Sequence, residues 1–569
     1  MKRAFLLFLV AQTLLSAASF AEARSPGQAG VPAPLNPGPG VELVLKNGDI
    51  YTVDPRLERV QALAITQGKI VAAGTNEEIE HWVGSETRVI DLGGKFVLPG
   101  FNDAHTHFGS GGQRLLQVNL ERTRSLAEFQ ERIRARAHEA APGEWVYGGG
   151  WDESLWPENR IPTRAELDAV STTHAMVFSR VDGHSVVVNS LALAKAGITR
   201  DTQPPYGGDI VKDAAGEPTG WLKDRATDLV EKLIPPPTAE QRRRGLLLAM
   251  AEAARRGVTS IQDNSDWEDF LALRALKEEG KLTLRVTEWL PFAASLEKLE
   301  AMRREGGTTD PWLKTGALKG VTDGSGGSRS AAMLEPFADD PANRGLLLIR
   351  PEELVKMVVE RDAAGFQITL HAIGDAANRV ALDSFETARK TNPRRDTRHK
   401  IEHAQFLDRA DVPRFKELGV IASMQPSHVL SDMRWAPKIL GREREYEGYA
   451  WNSVLKAGGT LAFGTDYPVE PLPPLRGLYA SVSREAEEGG PLGGWLPEEK
   501  ISITDAIRAY TWGSAYAEFE DHRKGTLAPG KFADLVVLSQ DITGIPASEI
   551  LRTEVLLTMV GGRIVYEKK

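Results

Sequence analysis

Several stretches of the chain carry side chains that bind metals or move protons. His105 and His107 stand in LPGFNDAHTH, His371 in ITLHAIGD, His403 in KIEHAQ and Asp466 in LAFGTDYP. On an extended strand alternate residues point to the same side, so the imidazoles of His105 and His107 can reach one ion. His371, His403 and Asp466 each close a run that begins apolar, the place where a barrel enzyme carries its functional groups. Lys319, in GALKGVTDGS, lies near the end of another such run, with Asp323 shortly after it. A lysine aimed into a barrel mouth is costly unless it is paired or chemically altered. Taken singly, each residue has an ordinary reading as a surface histidine, a satisfied core histidine or a turn aspartate. Together they present His, His, His and Asp at the same end of different runs, which points to a catalytic metal. His399 shares the face of His403 by parity but lies about 13 Å earlier along the strand, so it is expected to be no ligand.

The elements that must position these groups alternate apolar β runs with helical patterns, which favours parallel βα units over a sandwich. Eight runs count as strands: the one ending at His107, then 258–263, 282–290, 316–323, 366–371, 399–403, 420–425 and 460–466. Eight is the number that closes a (β/α)₈ barrel of the TIM type. Segments 238–256, 351–364, 376–391 and 409–418 repeat apolar residues at helical spacing. Residues 108–238 are too long for a loop and read as an inserted subdomain within a barrel spanning 99–519. Its tryptophans at 145, 151, 156 and 221 would form either a lid over an apolar substrate group or the subdomain's own core. Short strand patterns flank the barrel at 41–98 and again at 520–569. Neither flank is long enough for a good core, so the two are expected to pack as one small β-sandwich-like domain built from both termini.

Composition narrows the partners. The 569 residues are 41% hydrophobic and 26% charged with a formal net charge of -9. That balance argues against nucleic acid or an anionic membrane surface and leaves a small-molecule substrate. The oligomeric state stays open, a homo-oligomer being one outcome. There is no cysteine, so any metal is held by His, Asp, Glu or a modified Lys. Nitrogen and oxygen donors without sulfur suit zinc, or manganese, iron or nickel. Lys2 and Arg3, an apolar run from Phe5 to Ala18, and Ala21-Glu22-Ala23 read as a Sec-type signal peptide over 1–23. Its run is short for a membrane anchor. The mature chain would be secreted or periplasmic, with 24–40 as a Pro- and Gly-rich linker.

The motifs NGDIYTVD, GGKFVLPGFNDAHTH, PTRAELDAV, VDGHSVVVNSLAL, GEPTGWL, HAIGD, EHAQ, GTDYP and GTLAPGKFADLVVL cover nearly the whole mature chain. In them the sequence resembles the amidohydrolase superfamily, in its branch of N-substituted formamide deformylase-like, metal-dependent hydrolases. The resemblance implies two cations, one on His105, His107 and Asp466 and the other on His371 and His403. Lys319 looks like the family's fourth-strand lysine, which in such enzymes can be carbamylated and bridge both metals. His184, Asn189 and Asp224 resemble positions near the substrate, with structural hydrogen bonding (His184, Asn189) or a helix start (Asp224) as the equal alternative. His428, in MQPSHVL after the seventh strand, is placed to line the mouth. His81, His138, His174 and His522 sit in polar contexts and are expected to be solvated.

The implied chemistry is hydrolysis of a carbon–nitrogen bond in an amide, N-formyl compound or cyclic amide by metal-activated water. Asp466 would take the water's proton and hand it to the leaving nitrogen. The same centre would support a ring deaminase or a lactone or ester hydrolase. A reading of another class is an exported binding protein that kept the barrel and lost turnover.

Overall fold

The computed structural model describes residues 41–180, 184–206 and 208–569; the expected signal (1–23) and linker (24–40) lie outside the described residues. Eight parallel strands run side by side in chain order: β1 (Phe101–Thr106), β2 (Val258–Asp263), β3 (Arg285–Pro291), β4 (Leu313–Val321), β5 (Ile368–Ala372), β6 (Lys400–His403), β7 (Ile421–Met424) and β8 (Thr460–Phe463). β1, β2, β6 and β7 are buried along their whole length, as strands enclosed by a helical layer must be. The helices on the outer layer start where local chemistry dictates. Thr238 accepts from Gln241 N and Gln241 accepts from Thr238 N, a reciprocal cap on Ala239–Arg255. That helix then buries Leu246, Ala249, Met250 and Ala253.

The barrel closes beyond the strand ladder. β8 stops at Phe463, three residues short of the expected end at 466, because the chain turns into the left-handed region at Asp466 (φ 59). This turn stitches onto β1 instead: Asp466 N donates to His105 O at 2.8 Å and His107 N to Tyr467 O at 2.7 Å. Gly464 must be glycine here, since a Cβ would come within 2.6 Å of His105 N. Asp103, fully buried on the same face of β1 as His105, accepts from Thr465 N (2.9 Å), Thr465 Oγ1 (2.6 Å) and His105 N (3.2 Å). Asp103→Ala leaves these buried donors without an acceptor and is expected to lower stability by about 3 kcal/mol. A urea midpoint equal to that of the parent would remove Asp103 from the closure.

The flanks meet in one sheet. Leu535–Leu538 lies antiparallel to Phe96–Pro99, with Leu535 opposite Pro99 and Leu538 opposite Phe96. On one side follow Val555–Val560 and Arg563–Glu567, on the other Asp49–Tyr51 and Arg59–Val60. A second, four-stranded sheet uses the N-terminal flank alone: Lys69–Gly74, Ala62–Thr66, Leu43–Lys46 and Arg88–Asp91. Leu45, Ile65 and Ile70 from that sheet pack against Val97, Leu535 and Met559 from the other. Arg285 of β3 and Asp534 form a buried bidentate pair at 2.7 and 3.0 Å, joining this module to the barrel.

Within the insertion, Phe108–Leu116 packs on Ala239–Arg255, and a six-stranded sheet from Val118–Asn119 to Pro218–Asp224 follows. Trp145, Trp151 and Trp156 are buried in its cores. Three of the four tryptophans therefore build the subdomain and do not form a lid. Among the described residues no helix is long and apolar enough to cross a membrane.

Candidate metal centre

At the C-terminal end of the barrel, His105, His107, His403 and His428 gather around Asp466. His107 Nε2 lies 3.2 Å and His105 Nε2 3.5 Å from Asp466 Oδ1, while His428 Nε2 lies 3.8 Å from Oδ2. Two groups of side chains have the spacing to hold a cation, His105 with His107 and Asp466, and His403 with His428 and Asp466. Lys319 Nζ is 3.1 Å from His105 Nε2 and faces the Trp289 ring at 5.1 Å. The His371 ring packs against that of His403 at 4.5 Å between centroids, but its Nε2 is directed at Gly324 O (3.1 Å).

The backbone at these strand ends departs from a regular strand. His403 (φ 75), Ala404 (φ 43) and Asp466 (φ 59) lie in the left-handed region that non-glycine residues seldom occupy. On a regular β6 only one of Glu402 and His403 would face inward. The turn at His403 lets both serve the centre: Glu402 Oε2 comes within 3.0 Å of His105 Nδ1 while His403 Nδ1 meets Gln425 Oε1 at 2.8 Å. Asp323, just past β4, accepts from Ala332, Ile373 and Gly374 N at 2.8–3.0 Å and so fixes the loop after His371.

Burial sets the protonation states. It pushes His105 and His371 down to about 4, with the Lys319 charge adding to the effect, and it carries His403 well below the ordinary histidine range, aided by His371. All three are therefore neutral at pH 7, the form with a lone pair to donate. Burial also acts to raise Asp466, yet His105, His107 and His403 outweigh it and hold the carboxylate well below its usual range. Lys319 falls to about 8 by burial, only partly offset by Glu402 and Asp466.

His105, His107, His403, Lys319, Asp466 and His428 thus come together, with His371 at the edge of the group. The other predicted substrate contacts do not join them. Asn189 is fully buried and caps Ser190–Lys195; its oxygen accepts from Met176 and Ala192 N and its nitrogen donates to Ser171 and His174 O. Its bonding capacity is used within the subdomain, as the structural alternative has it. His184 and Asp224 pair with each other at 3.1 Å on the insertion sheet, both exposed. His174, expected in solvent, is buried with Nδ1 3.0 Å from Glu144 O. His399 meets Asp362 and Ile368 N and stacks on Phe385, outside the cluster.

The donor set fits divalent cations: neutral imidazoles, one anionic carboxylate, and buried atoms without a hydrogen bond at Asp466 Oδ1 and His428 Nε2.

Comparison with known proteins shows the family. The chain is 36% identical to "Protein LONG AFTER FAR-RED 3" of Arabidopsis thaliana over 94% of this chain and 93% of that one. It is 28% identical to an N-substituted formamide deformylase of Arthrobacter pascens, over 93% of this chain and 98% of the enzyme. The crystal structure of an uncharacterized metal-dependent hydrolase from Pyrococcus horikoshii OT3 superposes with a TM-score of 0.71 at 30% identity, covering 89% of this chain and 99% of that one. The model of the amidohydrolase family matches residues 88–566. Because that match spans most of the chain and includes every strand that lends a side chain to the cluster, the protein belongs to the amidohydrolase family.

Proposed function

We propose that this metal-dependent hydrolase cleaves a carbon–nitrogen bond in a non-peptide amide, an N-formyl compound or a cyclic amide, using two divalent cations, zinc foremost. The convergence of His105 and His107 from the end of β1 and of His403 from β6 on one carboxylate, Asp466, carries this reading. His105 and His107 would hold one cation with Asp466, and His403 and His371 the other. His371 Nε2 faces the Gly324 carbonyl, so Nδ1 is the nitrogen it would offer. Lys319 stands beside His105, where a carbamylated form would bridge. The cations, when bound, supply a Lewis acid for the carbonyl and acidify water.

The chain's own groups do the rest. Asp466, kept as a carboxylate, takes the proton of the attacking water and passes it to the leaving nitrogen. His428 Nε2 has no hydrogen-bond partner and is assigned to the substrate, at its carbonyl oxygen or its leaving nitrogen. The likeness to a deformylase supports trying N-formyl compounds first among substrates.

Metal analysis of the purified protein is expected to give two cations per chain. A panel of N-formyl compounds, N-acyl amino acids and cyclic amides should give turnover that chelators abolish. Turnover confined to lactones or ring amidines would replace the amide reading, and a metal-free protein inert to added zinc, manganese, iron or nickel would end it.

A further inference from the structure

The clustered histidines are held from behind. His107 Nδ1 lies 3.1 Å from Asn264 O and His403 Nδ1 2.8 Å from Gln425 Oε1. The Gln425 amide nitrogen donates to Ser423 O at 3.3 Å, which fixes the orientation of its oxygen. That nitrogen also lies 3.4 Å from His105 Nδ1, farther from that atom than the Glu402 carboxylate at 3.0 Å. A carbonyl oxygen only accepts, so both rings carry the proton on Nδ1 and keep the Nε2 lone pair free.

His105 has a different support. Its Nδ1 lies 3.0 Å from Glu402 Oε2, and the two side chains are 1% and 0% exposed. The other carboxylate oxygen, Oε1, accepts from Thr369 Oγ1 at 2.5 Å and lies 3.4 Å from Lys400 Nζ. Lys400 is in turn held by Gln262 Oε1 at 2.7 Å and by the Trp289 face at 4.2 Å. Oε2 itself has no aligned hydrogen bond. A buried carboxylate oxygen is rarely left so, and a small turn of the His105 ring that points Nδ1–H at Oε2 would satisfy it.

We propose that Glu402 is a positioning residue of the metal centre: its carboxylate accepts the Nδ1–H of His105, turns Nε2 toward Asp466 and sets a second buried negative charge behind the cation position. The arrangement is a carboxylate–histidine–metal relay in which the carboxylate raises the donor strength of the ring and fixes its tautomer. It rests on the reading of His105 as a ligand. It also gives the left-handed turn at His403 a purpose, because without it Glu402 and His403 could not both face the centre.

The test is a metal titration of the apoprotein against a competing chelator, with the thermal midpoint of the same apoprotein measured alongside. Glu402→Gln is expected to fold with a midpoint near that of the parent and to bind its tighter zinc ion about 10–100-fold more weakly. A purely structural Glu402 would move the midpoint and leave the affinity of the folded protein alone, which overturns the proposal. If E402Q does not fold, the double variant K400M/E402Q, which removes both members of the buried pair, takes the same measurement with the same expectation. His105→Ala separates the two levels. If H105A keeps both cations at parental affinity, the ligand reading fails and the proposal with it; if H105A loses a cation and E402Q does not, the positioning role alone is refuted.

Discussion

Lys319→Ala is expected to strip the protein of metal and to lower kcat/KM by about 10³-fold, roughly 4 kcal/mol of transition-state stabilisation. On the proposed reading, four histidines and Asp466 would bring a single negative charge as ligands to two divalent cations, and the Glu402 charge behind His105 is offset by Lys400. That is too little to hold the cations close without a bridging anion. Lys319 is almost wholly buried, and its Nζ lies 3.1 Å from His105 Nε2. As an ammonium there it would repel the cations. The neutral amine adds to CO₂ with loss of one proton, which turns a cation into a carboxylate bearing two oxygen ligands. Burial favours this by pulling Lys319 down to about 8. The neutral fraction falls as pH drops through that value, so reconstitution of apoprotein with zinc at one fixed concentration of dissolved CO₂ should run faster at pH 8.5 than at pH 6.5. Formate, acetate or propionate should partly restore activity to the alanine variant by occupying the vacated bridge. Full metal content with parental turnover in K319A would leave Lys319 as a structural residue beside His105.

The second large effect concerns Asp466. Asp466→Asn is expected to lower kcat by about 10³–10⁴-fold while the barrel stays folded, because the amide neither takes a proton nor binds a cation as a carboxylate does. Asparagine is the informative replacement. The backbone at 466 has φ 59, which asparagine accepts more readily than alanine, so the loss would report chemistry rather than strain. Circular dichroism and the thermal midpoint check the fold. A D466N protein with kcat within tenfold of the parent would pass the proton-carrying role to another group, His428 being the candidate beside Asp466 that the proposed ligand set leaves free.

Much of this was legible in the sequence because it depends on period and position. The eight strands follow from apolar runs spaced by helices, and His105, His107 and Lys319 follow from where runs end. What escaped depends on backbone angles that no period encodes. Parity on β6 assigns His403 to one face and thereby hides Glu402, its neighbour on the other; the positive φ at His403 cancels that rule at the residue where it matters. Gln425 was passed over because an amide at a strand end is indistinguishable from any polar terminus. For Asn189 the sequence left substrate contact and structural hydrogen bonding equal, because an N-cap uses the same side-chain atoms as a substrate contact would. The insertion's tryptophans likewise could not be divided between lid and core until their burial was seen.

The way the barrel closes has a consequence for folding and metal supply. β8 and β1 are joined at their upper ends by the segment that carries Asp466, bonded to the backbone of His105 and His107. A cation held, as proposed, on these three residues would rivet the two ends of the sheet, and opening of the cylinder along this line would pull the ligands apart. Affinity for the ion and resistance to that opening become one quantity, since free metal in excess of its dissociation constant stabilises the closed form by RT ln(1 + [M]/Kd). A cell short of the metal would then hold a protein that is more easily cut or refolded wrongly as well as one that is inactive.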